Sequence, residues 1–428
     1  MYNFFIIILG KFIFWLINFL KLGSGSTWPG HIALKLNKNF ISNILSNSKT
    51  RTIIVAGTNG KTTTAKLIQS ILITNKNSVL VNQEGANLLN GVASALILNS
   101  NTFGRIAKDY AIFEIDENTV PLILSEFTPD YLIGLNLFRD QLDRYGEVNT
   151  IAKNWKKKID KLPKSTTLIL NADDPMLSSL NKNTNAKTLF FGIDDAKLST
   201  SSRQNAADSI YCPSCNNKLS YKEIYFSHLG NWYCKVCKNK RAELDYSNTT
   251  ITPLPGVYNV YNALAASLVT HDMGINSKVI SHALTNFNPA FGRQEVINVE
   301  NKFVQFFLSK NPTSFNESLR TIKELGTKDI LIILNDRIPD GRDISWIWDT
   351  NAEDLLKGIN NIIVSGDRAF DMALRIKYAI GDKNLTCEPN LHIAIKKALQ
   401  VSSRNLAILP TYSAMLEARK VLTGRKIL

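Results

Sequence analysis

Residues 51–72 read RTIIVAGTNGKTTTAKLIQSIL, and this stretch decides the fold. The β-branched run at its start predicts a buried strand, and KTTTAKLIQSIL has the spacing of a helix. Between them, Gly57 and Gly60 permit positive φ angles and a close approach of the backbone to a ligand. Consecutive N–H groups of such a loop can face phosphate oxygens at the N-terminus of the following helix. The stretch therefore predicts a strand, a phosphate-binding loop and a helix in succession.

The residues of this loop have separate predicted roles. Lys61 is placed to reach the β- and γ-phosphates of a nucleotide, and the hydroxyl of Thr62 is placed to bind Mg²⁺. The pattern G-x-x-x-x-G-K-[ST] is not met, because Val55 occupies the first glycine position, so the loop is a variant. The predicted nucleotide contacts are Gly57, Thr58, Asn59, Gly60, Lys61, Thr62 and Thr63.

Apolar runs recur along the chain with the rhythm of an α/β protein. In the first two-thirds, strand-like runs alternate with helix-length stretches, which favours an open parallel sheet. After FNPAFGRQEV a second series begins with VQFFL and DILIILN, which predicts a separate C-terminal α/β domain. The predicted parts are an apolar N-terminal helix and turn (1–30), a central domain (31–296), an insertion within that domain (197–250) and a C-terminal domain (297–428).

Four of the five cysteines form two C-x-x-C pairs inside the predicted insertion. The pairs are Cys212 with Cys215 and Cys234 with Cys237, and 18 residues separate them, which is within the range of a Cys₄ zinc site. Four thiolates leave no open position on the metal, so the predicted Zn²⁺ is structural. His228 lies between the pairs and is an alternative ligand. Cysteines that bind a metal rather than form disulfides indicate a reducing compartment, so we expect a cytoplasmic protein.

Residues 3–20 are nearly all apolar, although Lys11 interrupts them. A membrane-spanning helix needs about 20 apolar residues, so this segment is marginal as a span. Two interpretations remain open: a shallow anchor at a membrane surface, and a first helix packed on the folded body.

The chain is strongly basic: 50 Lys and Arg against 36 Asp and Glu give a net charge of +14 over 428 residues. Such a field favours polyanions, namely nucleic acid, anionic lipid or a polyphosphorylated substrate. A basic cluster, Lys235, Lys238, Lys240 and Arg241, flanks the second cysteine pair. We interpret this cluster as a solvated face and expect no nucleic-acid partner.

Several segments resemble the Mur ligase superfamily of ATP-dependent amide-forming enzymes. The loop GTNGKTT is similar to the ATP loop of that superfamily, and FEIDE resembles the segment in which a glutamate, here Glu114, holds Mg²⁺ together with the loop threonine. PGVYNVYNALAA resembles the helix whose asparagines, here Asn259 and Asn262, contact adenine. FGRQE resembles the segment whose arginine, here Arg293, contacts the nucleotide. The resemblance implies a central ATP-binding domain and a Rossmann-like C-terminal domain.

The sequence departs from the superfamily pattern at some positions. Gln141 stands where a second-metal histidine is usual, and Tyr258 replaces the histidine of the adenine-contacting helix. Lys153 is a weak candidate for the carbamylated lysine that several of these enzymes use. Asn311 lies in a segment, LSKNPTSFNESL, that resembles one near the active site of the family.

The cysteine-rich insertion and the segment DGRDISWIWD together resemble the MurT family, the Mur ligase subunits of lipid II isoglutaminyl synthase. The resemblance implies ATP-dependent amidation of the α-carboxylate of D-glutamate in the lipid II stem peptide, through an acyl phosphate, in peptidoglycan synthesis. It also implies that ammonia comes from a glutaminase partner subunit, GatD. The aspartate that ends Trp-Ile-x-Asp, here Asp349, would complete that partner's catalytic triad, and Asp343 and Asp336 are nearby alternatives.

The chain's own cysteines agree with a need for a partner. Glutamine hydrolysis by a nucleophilic cysteine requires a Cys–His pair, and outside the two C-x-x-C pairs the sequence has only Cys387, which lacks a nucleophile motif. Lipid II is a membrane-embedded diphosphate, so we expect association with the inner face of the cell membrane. Two other functions stay open: a ligase that adds an amino acid, and a nucleic-acid-binding zinc-ribbon ATPase.

Overall fold

The computed structural model describes residues 2–20, 25–82, 85–139, 148–200, 207–289 and 292–424. Within these ranges, two six-stranded sheets carry helices on both faces, and a two-stranded hairpin stands apart from them. Gln141, where the sequence departs from the superfamily pattern, lies outside the described residues.

The first sheet is entirely parallel, with the order β2-β3-β1-β4-β5-β6. Its strands are β1 (Arg51–Ala56), β2 (Val79–Val81), β3 (Tyr110–Ile115), β4 (Tyr131–Gly134), β5 (Thr167–Asn171) and β6 (Lys187–Phe191). Ala56 at the end of β1 pairs with Ile115 of β3 and with Gly134 of β4. The loops that follow these three central strands therefore meet at one edge, where ligands of open α/β sheets bind.

Ten helices accompany the described part of the first sheet. They are α1 (Tyr2–Phe19), α2 (Trp28–Leu36), α3 (Phe40–Ser46), α4 (Lys61–Thr74), α5 (Leu89–Asn99), α6 (Val120–Glu126), α7 (Val148–Ile159), α8 (Pro175–Ser178), α9 (Val257–Asp272) and α10 (Ser277–Thr285). Alternate residues of β1 face opposite layers: Ile53 packs with α4, α9 and α10, and Ile54 packs with α3, α5 and α7. Both faces of this strand are buried, as expected for a central strand of a parallel sheet.

Helix α1 packs one side against the layer formed by α2 and α5. Ile6 and Ile7 are buried there, and Gly10 approaches Ile97 so closely that a Cβ at this position would lie 3.0 Å from its side chain. The ammonium of Lys11 donates to the carbonyl of Ser100 at 2.6 Å. Among the described residues, no helix is long and apolar enough to cross a membrane.

The second sheet has the order β13-β12-β11-β14-β10-β9, and only β9 runs antiparallel to its neighbour. Its strands are β9 (Arg293–Val299), β10 (Lys302–Phe307), β11 (Asp329–Ile333), β12 (Asn361–Ser365), β13 (Leu385–Cys387) and β14 (Asn405–Pro410). Its helices are α11 (Pro312–Glu324), α12 (Ala352–Leu355), α13 (Ala369–Ile380), α14 (Leu391–Val401) and α15 (Tyr412–Thr423). The hairpin consists of β7 (Ser220–Phe226) and β8 (Leu229–Tyr233).

Candidate active site

The phosphate loop connects β1 to α4, and both of its glycines are required by its geometry. Gly60 immediately precedes α4 with φ +89°, and a Cβ there would lie 2.2 Å from Oδ1 of Asn262. Gly57 has φ +142°, and a Cβ there would lie 2.9 Å from the carbonyl oxygen of Asn136. A side chain at either position would meet both backbone strain and a close neighbour.

The segment after β4 holds the loop in place. The amide N–H of Asn59 donates to Oδ1 of Asn136 at 2.9 Å, and Nδ2 of Asn136 donates to the carbonyl of Asn59 at 3.0 Å. The hydroxyl of Thr58 accepts from the N–H of Phe138 at 3.0 Å. These bonds fix the conformation of the loop before a ligand binds, which reduces the entropy lost on binding.

Lys61 and Thr62 lie beside two buried carboxylates. Nζ of Lys61 donates to the loop carbonyl of Thr58 at 3.0 Å and lies 3.6 Å from Oε2 of Glu117. The hydroxyl of Thr62 donates to Oε2 of Glu114 at 2.8 Å. A hydroxyl and a carboxylate at this separation form the oxygen donor set that Mg²⁺ prefers, so these two residues fit that ion.

Asn262 and Asn259 lie next to the loop on α9. Oδ1 of Asn262 accepts from the hydroxyl of Thr64 at 3.2 Å, and its Nδ2 donates to Oδ1 of Asn259 at 3.1 Å. Nδ2 of Asn259 donates to the carbonyl of Pro255 at 2.7 Å. The two asparagines are thus oriented by one chain of hydrogen bonds that begins on α4.

A cleft opens between this edge of the first sheet and the second sheet. Asn59, Gly60, Thr63, Asn136, Phe226, Leu254, Tyr258, Asn259, Tyr261, Asn262, Arg293, Gln294, Phe307, Leu308, Thr313, Ser314, Glu317 and Ser318 line it. Two buried amide atoms at this cleft, Nδ2 of Asn59 and Oε1 of Gln294, have no hydrogen-bond partner among the described residues. Buried polar atoms are normally satisfied, so their position fits a polar ligand such as ATP.

The structure brings together residues that the local pattern did not single out. Glu117 follows Glu114 by three positions within the quoted acidic segment, and Gln294 follows Arg293 directly. Asn311 donates from Nδ2 to Oδ1 of Asn59 at 3.2 Å, which ties the start of α11 to the phosphate loop. Lys153 is solvent-exposed on α7.

The four paired cysteines converge at the base of the β7–β8 hairpin. Their sulfur atoms all lie within 4.8 Å of one another, and the Cys212–Cys237 and Cys215–Cys234 separations are both 3.5 Å. Tetrahedral Zn–S bonds of about 2.3 Å place sulfurs ~3.8 Å apart, so the donor set fits Zn²⁺. His228 lies in the hairpin turn and does not belong to this cluster. We call the segment from Cys212 to Arg241 the zinc ribbon.

The hairpin turn of the zinc ribbon packs against the phosphate-loop region. The ring of Phe138 lies 5.5 Å from that of Phe226 and 4.7 Å from that of His228. His228 is fully buried, and its Nε2 lies 3.6 Å from Oδ2 of Asp174. Phe226 also lines the cleft, so the ribbon supplies part of the cleft wall.

Arg241 does not belong to a solvated face, which corrects the sequence interpretation. Its guanidinium donates to Oδ1 of Asp173 at 3.0 Å and to the carbonyl of Ile193 at 2.9 Å. Burial raises the pKa of Asp173 above its ordinary value, and the charge of Arg241 opposes that shift. Trp232 donates to the carbonyl of Ala172 at 3.0 Å, so these two contacts attach the ribbon beside β5.

Asp349 lies outside the cleft, at the end of a 3₁₀ helix, Ser345–Asp349. Its carboxylate is about half exposed (51 %) and lies 3.8 Å from Nη1 of Arg139. The two alternatives have structural partners: Asp343 accepts from the N–H of Ser345 at 2.8 Å, and Asp336 pairs with Arg368 at 3.2 Å.

Exposed apolar side chains lie near Asp349. Trp348 is half exposed and its ring lies 5.9 Å from that of Tyr378 on α13. Phe370, Leu374 and Tyr378 follow each other at intervals of four, so they share one exposed face of that helix. We call these four residues the α13 patch.

Comparison with known proteins agrees with these features. The family model for the Mur ligase middle domain matches residues 55–270, and the model for the MurT ligase C-terminal domain matches residues 308–415. The fold resembles a pseudomurein peptide ligase type C from Methanothermus fervidus, with a TM-score of 0.67, 21% identity and coverage of 88% of this chain and 79% of that one. The phosphate loop, the cleft and the sheet order thus belong to a ligase of the Mur type, a class of ATP-dependent enzymes.

Two relatives define the family more closely. The MurT subunit of lipid II isoglutaminyl synthase (glutamine-hydrolyzing) from Staphylococcus aureus (strain COL) is 34% identical over 408 residues, covering 91% of each chain. The corresponding subunit from Streptococcus pneumoniae (strain ATCC BAA-255 / R6) is 32% identical over 428 residues, covering 95% of this chain and 94% of the relative. The chain belongs to the MurT family, whose members are subunits of a peptidoglycan-synthesising ligase that includes a partner subunit.

Proposed function

We propose that this chain amidates the α-carboxylate of D-glutamate in the lipid II stem peptide to D-isoglutamine, using ATP and ammonia from a GatD-like glutaminase subunit. The observation that carries the ligase step is the junction of Lys61, Thr62 and Glu114 at the edge of a cleft lined by Asn262 and Arg293. Two relatives that are MurT subunits of lipid II isoglutaminyl synthase support the choice of substrate.

The reaction has two steps in this proposal. A carboxylate oxygen bonds to the γ-phosphorus of ATP while the bond from that phosphorus to the bridging oxygen breaks, which releases ADP and leaves an acyl phosphate. Ammonia then attacks the acyl carbon, the bond to phosphate oxygen breaks, and nitrogen loses a proton. Catalysis of such transfers is mainly positioning and neutralisation of charge.

The residues of the cleft have distinct roles in this scheme. Lys61 and Arg293 neutralise phosphate charge, and Thr62 and Glu114 would hold Mg²⁺, which would supply further charge neutralisation when bound. Asn259 and Asn262 orient the adenine ring. Gly57, Thr58, Asn59, Gly60 and Thr63 complete the proposed nucleotide contacts, and the N–H groups of Thr58 and Asn59 themselves serve to hold the loop, because they donate to Asn136.

The need for a glutaminase partner is supported by the one cysteine outside the ribbon. Burial, together with the charge of Glu388, raises the pKa of Cys387, which is the opposite of what a nucleophilic thiol requires. We propose that Asp349 instead supplies a carboxylate to the partner's Cys–His pair. There it would fix the histidine tautomer and stabilise the imidazolium.

The α13 patch is the proposed docking surface for that partner. Aromatic residues are enriched at the energetic centres of protein interfaces, and Trp348 lies next to Asp349 in the chain. Docking there would exclude water from the neighbourhood of Asp349 and would strengthen its interaction with a histidine.

We further propose that the chain acts in the cytoplasm at the inner face of the cell membrane, where lipid II is embedded. The zinc ribbon holds a structural Zn²⁺ within the central ATP-binding domain. The sequence predicts 31–296 for this domain and 297–428 for the C-terminal domain; we propose that the boundary lies just before Arg293, because β9 starts there and belongs to the second sheet.

The experiment that tests this function measures the mass of the lipid II stem peptide after incubation with ATP and Mg²⁺. One arm contains ammonium, and the other contains glutamine and the co-expressed glutaminase subunit. We expect the hydroxyl-to-amino mass change in both arms, and we expect Asp349→Asn to block only the glutamine arm. Asp343→Asn is the matched control, because it changes a carboxylate six residues away that accepts from the N–H of Ser345, the first residue of the same 3₁₀ helix.

Other outcomes lead elsewhere. If Asp349→Asn lost the mass change equally in the ammonium and the glutamine arm, this residue would serve the ligase site or the fold. A mass increase that corresponds to an added amino acid, without need of the glutaminase, would favour an amino-acid-adding ligase over an amidating one.

A further inference from the structure

The outward side of α1 is an exposed apolar surface built at helical spacing. Its members recur every three or four residues, twice as adjacent pairs, and are 36–68 % exposed: Phe5, Ile8, Leu9, Phe12, Trp15, Leu16 and Phe19. The aromatic rings form a row, since Phe12 and Trp15 have centroids 5.9 Å apart and Trp15 and Phe19 have centroids 5.2 Å apart. We call these seven residues the outer α1 face. Contiguous exposed apolar surface of this kind marks an interaction site.

The helix is fixed with this face outward. Its opposite side buries Ile6 and Ile7, and the backbone at Gly10 is in contact distance of Ile97. Asn37 donates to Oδ1 of Asn3 at 2.8 Å, which ties the first turn of α1 to the end of α2. Turning the outer α1 face inward would therefore expose a side that is already buried.

The charge of the surrounding chain selects the kind of partner. No aspartate or glutamate occurs before Glu84, whereas Lys35 and Lys38 are exposed on either side of Asn37, the residue that bonds to the first turn of α1. An interfacial helix of a membrane-bound protein combines an apolar face rich in Phe, Trp and Leu with neighbouring cationic residues, and it lies about 5–10 Å deep in the headgroup region. Anionic lipid headgroups complement this charge, whereas a neutral apolar partner would not require it.

We propose that the outer α1 face lies in the plane of an anionic phospholipid bilayer and holds the enzyme at the membrane surface. The proposal deepens the proposed function, and rests on it in taking the membrane that contains lipid II as the relevant surface. At a rise of about 1.5 Å per residue, the 18 residues of α1 contact the bilayer over ~27 Å. The contact places the ligase at the surface where its substrate is confined.

The test is flotation of the full chain with vesicles of phosphatidylcholine alone or with added phosphatidylglycerol. We expect binding to the anionic vesicles that weakens as salt increases. Trp15→Glu and Phe12→Glu should each weaken partitioning of the protein onto the vesicles about tenfold or more. Each removes an aromatic side chain that the bilayer would bury, and each adds an anion. Leu122→Glu on α6 is the matched control, since Leu122 and Trp15 have the same exposed fraction, 56 %.

Each variant is also assayed for ammonium-dependent amidation of a water-soluble stem-peptide substrate. This readout tests the fold and the proposed function apart from the membrane contact, and we expect it to be unchanged by Trp15→Glu. Vesicle binding that survives both α1 substitutions, or that is equally strong on neutral vesicles, would overturn the proposal. The proposal would also be overturned if the protein bound no vesicles but formed a dimer that Trp15→Glu dissociates. A second copy of the chain would then cover the outer α1 face.

Discussion

Replacing Gly60 by alanine should destabilise the protein in two ways that can be measured separately: it strains the backbone, and it displaces a side chain of the nucleotide site. An alanine at φ +89° costs about 1–2 kcal/mol relative to glycine, whatever its surroundings. The new Cβ would also lie 2.2 Å from Oδ1 of Asn262, so that buried amide has to move. Its movement breaks the hydrogen bonds with Thr64 and Asn259, which adds about 0.5–1.5 kcal/mol for each. We therefore expect Gly60→Ala to lower the free energy of unfolding by ~2–5 kcal/mol.

Gly274 is the matched control, because it has a similar φ, +83°, and a Cβ there would have nothing within 4 Å. Gly274→Ala should cost only the strain of about 1–2 kcal/mol. The assays are urea denaturation and calorimetric titration with ADP, and affinity for ADP should fall about tenfold or more in Gly60→Ala alone. Equal destabilisation of the two variants, with ADP affinity unchanged in both, would refute the assignment of Asn262 to the nucleotide site.

Three further changes test other parts of the structure. Lys61→Ala should abolish ATP turnover, measured as phosphate release, and turnover at the original rate would remove the loop from the mechanism. Arg241→Ala should lower the free energy of unfolding by about 3–5 kcal/mol in urea denaturation, because it leaves Asp173 buried without its cation. Lys240→Ala, which changes the exposed neighbour, should leave the free energy of unfolding nearly unchanged. Chelation, or Cys234→Ser, should release zinc and weaken ADP binding; native protein without zinc, or with unchanged ADP affinity after its removal, would contradict this.

The loop and the cysteine cluster could be predicted because their information is local. Residues that are adjacent in GTNGKTT remain adjacent in the loop, and each C-x-x-C pair forms its own turn before the two pairs meet. The approach of Glu114 to Thr62 is implied only by the family resemblance, and the structure gives its physical reason: β1 and β3 are parallel neighbours whose carboxyl ends lie side by side.

Contacts between distant segments could not be predicted in the same way. Asn136 exchanges hydrogen bonds with the loop residue Asn59, which lies 77 positions earlier. Nothing in the local sequence NLFRD indicates that Asn59 is its partner. Arg241 is part of a basic run in the sequence, yet its guanidinium reaches a buried carboxylate 68 positions earlier. The outward direction of the α1 aromatic row likewise depends on what covers the opposite side, which periodicity in a nearly all-apolar helix does not reveal.

The zinc ribbon has an apolar core of only a few residues, in which Leu219 and Trp232 join the cysteines. A bound metal ion commonly supplies much of the folding energy of a module with so small a core. Because Phe226 at its far end also lines the cleft, the fold of the insertion and the shape of one cleft wall are coupled. Under the proposed function, the insertion would have to fold before the nucleotide pocket of a newly synthesised chain is complete.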